Sequence, residues 1–68
     1  MNINQRINEL FKKLAFLGYY QFQLNNIIQE AIGATTLEEA NQAEQNRVVD
    51  FLERYEKLGT EYLLAYSK

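Results

Sequence analysis

The side chains able to move a proton or hold a metal ion here are nine carboxylates, seven Lys or Arg and five Tyr; His and Cys are absent. Without imidazole the chain lacks the commonest general base near neutral pH. Without thiolate or imidazole it also lacks the usual zinc ligands. The spacing of most carboxylates points to structure. Glu38 and Glu39 follow Thr36 as a T-x-x-E helix start, and Asp50–Arg54 and Glu53–Lys57 stand at the i,i+4 separation of surface ion pairs. Glu44 is the exception, because it falls on an expected inward stripe opposite Leu24, and Glu30 lies one turn from the expected bend. A carboxylate-dependent hydrolase or phosphatase would rest on Glu44 inside a cleft. A bundle metal site would need the Glu-x-x-His element, which this composition forbids. The three glycines, at 18, 33 and 59, are isolated and build no phosphate loop. Tyr55, Tyr62 and Tyr66 form a helical ladder of the kind that packs. No catalytic residue, cofactor or metal ligand is expected, and the chain does not read as an enzyme.

Sixty-eight residues allow one domain, 1–68, and a chain this small needs a staple, well-packed helices or association to stay folded. Disulfides are excluded by composition. Hydrophobic residues make up 47% of the chain, too many for a disordered tail. The net charge of −2 and the scattered bases Arg6, Lys12, Lys13, Arg47, Arg54, Lys57 and Lys68 form no basic stripe. Nucleic acid is therefore not an expected partner, since phosphate contacts dominate such binding. Nor is an anionic membrane surface. The apolar stretch 14–32 is interrupted by Gln21, Gln23, Asn25, Asn26, Gln29 and Glu30, which spoils it as a membrane span. Residues 1–6 do not read as a signal peptide, so a cytoplasmic location is expected.

The elements that must position these residues read as helices throughout. Proline is absent, so nothing forces a break. Ile3, Ile7, Leu10, Leu14, Leu17, Gln21, Leu24, Ile28 and Ala31 recur in steps of four and three, a heptad stripe with one polar interruption. It stops at Gly33, a residue suited to the left-handed position after a helix. Thr36, Leu37, Glu38 and Glu39 then read as a capping box. A second stripe follows through Leu37, Asn41, Glu44, Val48, Phe51, Tyr55, Leu58, Tyr62 and Ala65. These patterns predict an all-α fold of two long antiparallel helices, about 3–32 and 37–66, folded as an αα-hairpin about residues 33–36. Pairing about the turn would set Leu24 and Ile27 near Ala40 and Ala43, and Leu17 near Phe51. Ile3, Ile7 and Leu10 would lie beside Leu58, Tyr62 and Tyr66. Gly18 and Gly59 test this picture, since each disfavours a helix interior by about 1 kcal/mol. Gly18 reads as a kink or close approach, and Gly59 as a place where helix two could end.

One stripe per helix suffices for a hairpin, yet helix one also carries Phe11, Phe16, Tyr19, Tyr20, Phe22, Ile27 and Ile32. No charge occurs from 14 through 29. Helix two adds Val49, Leu52, Leu63 and Tyr66. A helix apolar around much of its circumference should be covered on more than one side. Homodimerisation into a four-helix bundle is one expectation, with Gln21 as a buried amide fixing register. A heterologous protein partner docking on Phe16, Tyr19, Tyr20, Phe22 and Ile27 is the other. The run Ala43-Glu44-Gln45-Asn46 does not reproduce the Ser-Gln-Glu-Leu-Asp motif of helical-hairpin phosphatases acting on response regulators. The expected role is a small protein–protein interaction or regulatory module without catalytic activity. The alternative is a structural subunit of a larger assembly, such as a phage particle.

Overall fold

A computed structural model describes residues 2–66, apart from the side chain of Tyr66. It contains three helices: α1 (Ile3–Phe16), α2 (Gln21–Ile32) and α3 (Gln42–Tyr66). Among the described residues, no helix is long and apolar enough to cross a membrane. The expected pair of helices over 3–32 and 37–66 is thus corrected to three, because the first half reverses at Gly18. There the backbone adopts φ +103°, a conformation that L side chains resist. The reversal is a Schellman motif: Gly18 N–H donates to the Ala15 carbonyl at 3.1 Å, and Tyr19 N–H reaches the Leu14 carbonyl at 3.0 Å. Two residues on, Tyr20 N–H donates to Gln23 Oε1 at 2.7 Å and α2 begins.

Each helix start is held by a side chain that reaches back. Asn2 and Gln5 form a reciprocal box at α1, with Gln5 N–H donating to Asn2 Oδ1 at 2.9 Å. Gly33 ends α2 where the sequence predicts it, with its N–H on the Gln29 carbonyl. At Thr36, Glu39 N–H donates to Oγ1 at 3.3 Å and the hydroxyl donates to Glu39 Oε1 at 2.8 Å, one half of the expected box, yet this start closes only a single turn. The helix waits for a second box, in which Glu44 N–H donates to Asn41 Oδ1 at 2.8 Å and Asn41 N–H to Glu44 Oε1 at 3.1 Å. Asn is at least as strong a cap as Thr. The delay also lets Leu37 and Ala40 pack against the core as an irregular strap.

The core is built from one row per helix: Ile7, Leu10 and Leu14; Leu24, Ile27, Ala31 and Ile32; Val48 and Leu52. Among the described residues, no polar or charged one is buried. Three of these, Ile27, Ile32 and Leu52, were expected outside the main stripes, and Ile28 on it. The turn at Gly18 resets the helical phase, so α2 buries 24, 27 and 31. On α3 the buried row 48, 52 follows a helical period, which leaves the expected heptad positions at its edge.

The second reversal makes α1 and α3 run in the same direction. Arg6 bonds Glu53 at 2.7 Å, Lys13 stands 3.8 Å from Glu56, and Leu17 meets Gly59. The expected placement of Ile3, Ile7 and Leu10 beside Leu58 and Tyr62 is therefore reversed; the Tyr66 side chain lies outside the described residues. Leu17 sits about two turns beyond the expected Phe51. Gly59 stays inside a continuous α3: a Cβ there would stand 3.1 Å from Leu17 Cδ1, so this glycine serves close helix approach. The two glycines have exchanged the roles that were open to them.

Candidate interaction surface

α3 has 25 residues and spans about 37 Å at 1.5 Å per residue, against about 21 Å for α1 and 18 Å for α2. The two short helices cover its first two-thirds. The last turns project beyond them, consistent with a longest dimension of 42 Å. Residues 60–65 are all exposed.

The overhang and the Gly18 turn place apolar side chains at the same end of the molecule. Phe16, the last residue of α1, is 89% exposed, and Tyr20 at the start of α2 is 69% exposed. Phe22 is exposed as well and stacks on Tyr20, with centroids 6.1 Å apart and planes 9° from parallel. From α3 come Leu58, Tyr62 and Leu64, all more exposed than covered. Between the turn and the overhang runs an open groove of about 430 Å³ lined by Leu17, Tyr19, Gln23, Leu58, Tyr62 and Leu63.

The sequence-predicted patch divides between surface and core. Phe16, Tyr20 and Phe22 lie on the surface as expected. Ile27 is 3% exposed and belongs to the core, because the shifted phase of α2 turns it inward. Tyr19 is half-buried: its ring meets Tyr55 edge-on at 6.2 Å and its hydroxyl donates to the Tyr55 carbonyl at 3.4 Å. It anchors the turn to α3 and forms one wall of the groove. Gln21 is the first residue of α2 and exposed, its amide donating to Asn25 Oδ1 at 3.2 Å. It occupies no buried stripe position, because the helix that would have carried it inward ends at Phe16. Sequence reasoning missed Leu58 and Tyr62 as surface residues by placing them on the inner stripe; Leu64 it did not single out. The cue available was the glycine at 18, which shortens helix one and leaves the end of α3 without a full-length neighbour.

The polar groups nearby hold the scaffold. Tyr55 Oη donates to Glu30 Oε2 at 3.0 Å, tying α3 to α2. That bond, then partial burial and the carboxylate's charge, raise the Tyr55 pKa above the ordinary tyrosine value. Arg6 is likewise held in its charged form, first by its hydrogen bond to Glu53. Glu44, the carboxylate on which a hydrolytic site would rest, is engaged in capping α3. Comparison with protein families, characterised proteins and solved structures found no match.

Proposed function

We propose that this protein is a small interaction module without catalytic activity, and that its working surface is the apolar end formed by Phe16, Tyr20, Phe22 and the overhang of α3. One observation carries the reading. Four aromatic rings and three leucines, Leu58, Leu63 and Leu64, stand exposed at one end of a chain of 68 residues whose core is otherwise closed. Each aromatic side chain offers roughly 150–250 Å². The four rings alone therefore leave on the order of 500 Å² open to water, near the upper range for the largest patch on a monomer. Such patches, rimmed by polar residues, mark association sites. The placement of Glu44 in a helix cap favours this role over a carboxylate-based hydrolase.

A photoactivatable side chain introduced singly at Phe22, Leu64, Gln42 or Arg47 in the native cellular background tests the proposal. Gln42 and Arg47 are exposed at the opposite end of α3. Crosslinks concentrated at Phe22 and Leu64 are expected. Equal yields at all four positions would overturn the assignment of the surface.

A further inference from the structure

The interface between α2 and α3 stops at the Gly18 turn, but the rows that form it do not. On α2 the inward row is Ala31, Ile27 and Leu24. Carried backwards at the same helical steps, it arrives at Tyr20 and then at Leu17 and Phe16. Tyr20 and Phe16 are exposed. On α3 the side that meets α2 carries Tyr55, bonded to Glu30. Carried forwards, it arrives at Leu58, Tyr62 and Ala65, which are exposed. Residues 60–65 add about 9 Å to α3, and the six residues before Gln21 would cover that length as helix. Lys13, one step further back, would fall at the end of α3, in water. The two exposed rows are thus the two sides of one interface, interrupted where the chain reverses.

Straightening the turn would join them. Leu17 is already helical at φ −77°, ψ −3°, so the reversal rests on Gly18 and on Tyr20, which is extended. A straight helix over 3–32 cannot, however, keep α1 on its own α3. At 100° per residue, Ile7, Leu10 and Leu14 lie roughly 100° around such a helix from Leu24, Ile27 and Ala31. Val48 and Leu52 would lose their cover on the α1 side. The two neighbours of a helix in a four-helix bundle stand roughly 90° apart. A straight helix therefore offers the α2 row to its own α3 and the α1 row to the α3 of a second copy. Each α1 fills the seat that the other has left, with Arg6 on Glu53 and Leu17 on Gly59 re-made between chains. No new complementarity is required at that seat, because the monomer already contains its contacts.

We propose that Gly18 is the hinge of a domain exchange: two copies straighten there, trade α1, and each lays its own residues 16–20 along its α3 overhang. The proposal rests on the interaction-module reading and names its partner. Sedimentation equilibrium from micromolar to millimolar concentration, on wild type, Gly18→Ala and Gly18→Ala/Gln21→Pro, tests it. A Cβ at 18 meets no atom, so Ala acts through the backbone alone, straining the turn and favouring the helix. Counted over two chains, this should raise the dimerisation constant about a hundredfold. Gln21→Pro should cancel the gain. Position 21 begins α2, where proline is favoured, and Tyr20 at φ −84°, ψ 162° suits the residue before a proline. The three-helix monomer accepts that proline and the straight helix does not, although every exposed ring remains. The double variant should therefore return to 8.0 kDa, with helicity checked by far-ultraviolet circular dichroism. A second measurement leaves the hinge unaltered. A Cβ at 59 would stand 3.7 Å from the Leu17 Cβ, which is disulfide spacing. Leu17→Cys chains mixed with Gly59→Cys chains at millimolar concentration and oxidised should yield a 17–59 link between chains. A Gly18→Ala chain that stays monomeric, a dimer that survives Gln21→Pro, or no 17–59 link overturns the exchange. Crosslinks from Phe22 and Leu64 to a different protein, with no 17–59 link, also overturn it while leaving the interaction module standing.

Discussion

The two ends of α3 are one helix in two environments. Its amino-terminal part is gripped from both sides: Val48 and Leu52 are fully buried, Arg6 and Lys13 reach across from α1, and Glu30 reaches across from α2. Its carboxyl-terminal part has similar apolar content, yet Leu58, Tyr62 and Leu64 face water. The difference arises from the length of the neighbours, set by the glycine in the turn between them. Apolar periodicity therefore states what a helix can bury. Whether it is covered depends on where the adjacent helices end.

Substitutions that separate the two ends should differ sharply. Leu52→Ala is expected to destabilise the fold by about 3 kcal/mol, and Leu64→Ala by less than about 0.5 kcal/mol, in urea unfolding followed by circular dichroism at low protein concentration. Comparable losses at the two positions would mean that both ends of α3 are equally covered. Next in size is Gly18→Ala, which forces a side chain onto φ +103° and should lose at least about 1 kcal/mol. If it instead stabilises the chain, α1 and α2 form a continuous helix in solution.

Tyr55→Phe should lose about 1 kcal/mol by removing the bond to Glu30 from the gripped region. The sign of its pH dependence follows from a folded-state pKa raised above the unfolded value. The contribution is fully present below the ordinary tyrosine value of 10.0 and disappears as pH rises through the folded value. The stability gap between wild type and Tyr55→Phe should therefore close only in strongly alkaline solution. Tyrosinate absorbance should show one late-titrating ring that Glu30→Gln returns toward the others. Arg6→Ala should have the smallest effect, smaller than that of Tyr55→Phe and reduced further by salt, because the pair with Glu53 is partly exposed.

Much of this molecule is legible in its residues. The helical class, the stop at Gly33 and the burial of Ile7, Leu10, Leu14, Leu24 and Val48 follow from spacing alone. The reversal at Gly18 was hidden by a coincidence of length. The connection from Leu17 to Tyr20 is four residues long, so the four-three rhythm reads on from Leu17 to Gln21 to Leu24 although the chain has turned. Tyr20 gives no capping cue either, since its backbone N–H finds Gln23 rather than its side chain finding the helix. The start of α3 offered two adjacent boxes, and tertiary packing of Leu37 and Ala40 decided between them. Of the surface, the Phe16, Tyr20 and Phe22 portion follows from excess apolar residues on helix one. The α3 portion requires knowing where α1 and α2 stop.

One consequence follows from α3 as the common neighbour. α1 and α2 each pack mainly on α3 and only slightly on each other. The tie between Arg6 and Glu53 spans 47 residues. A chain emerging from the ribosome therefore has little to fold onto until Leu52 has been made, since the paired short helices enclose no core of their own. Folding during synthesis should be a late, single event. Residues 60–65, which follow Leu52 off the ribosome, are also the stretch that the fold leaves open.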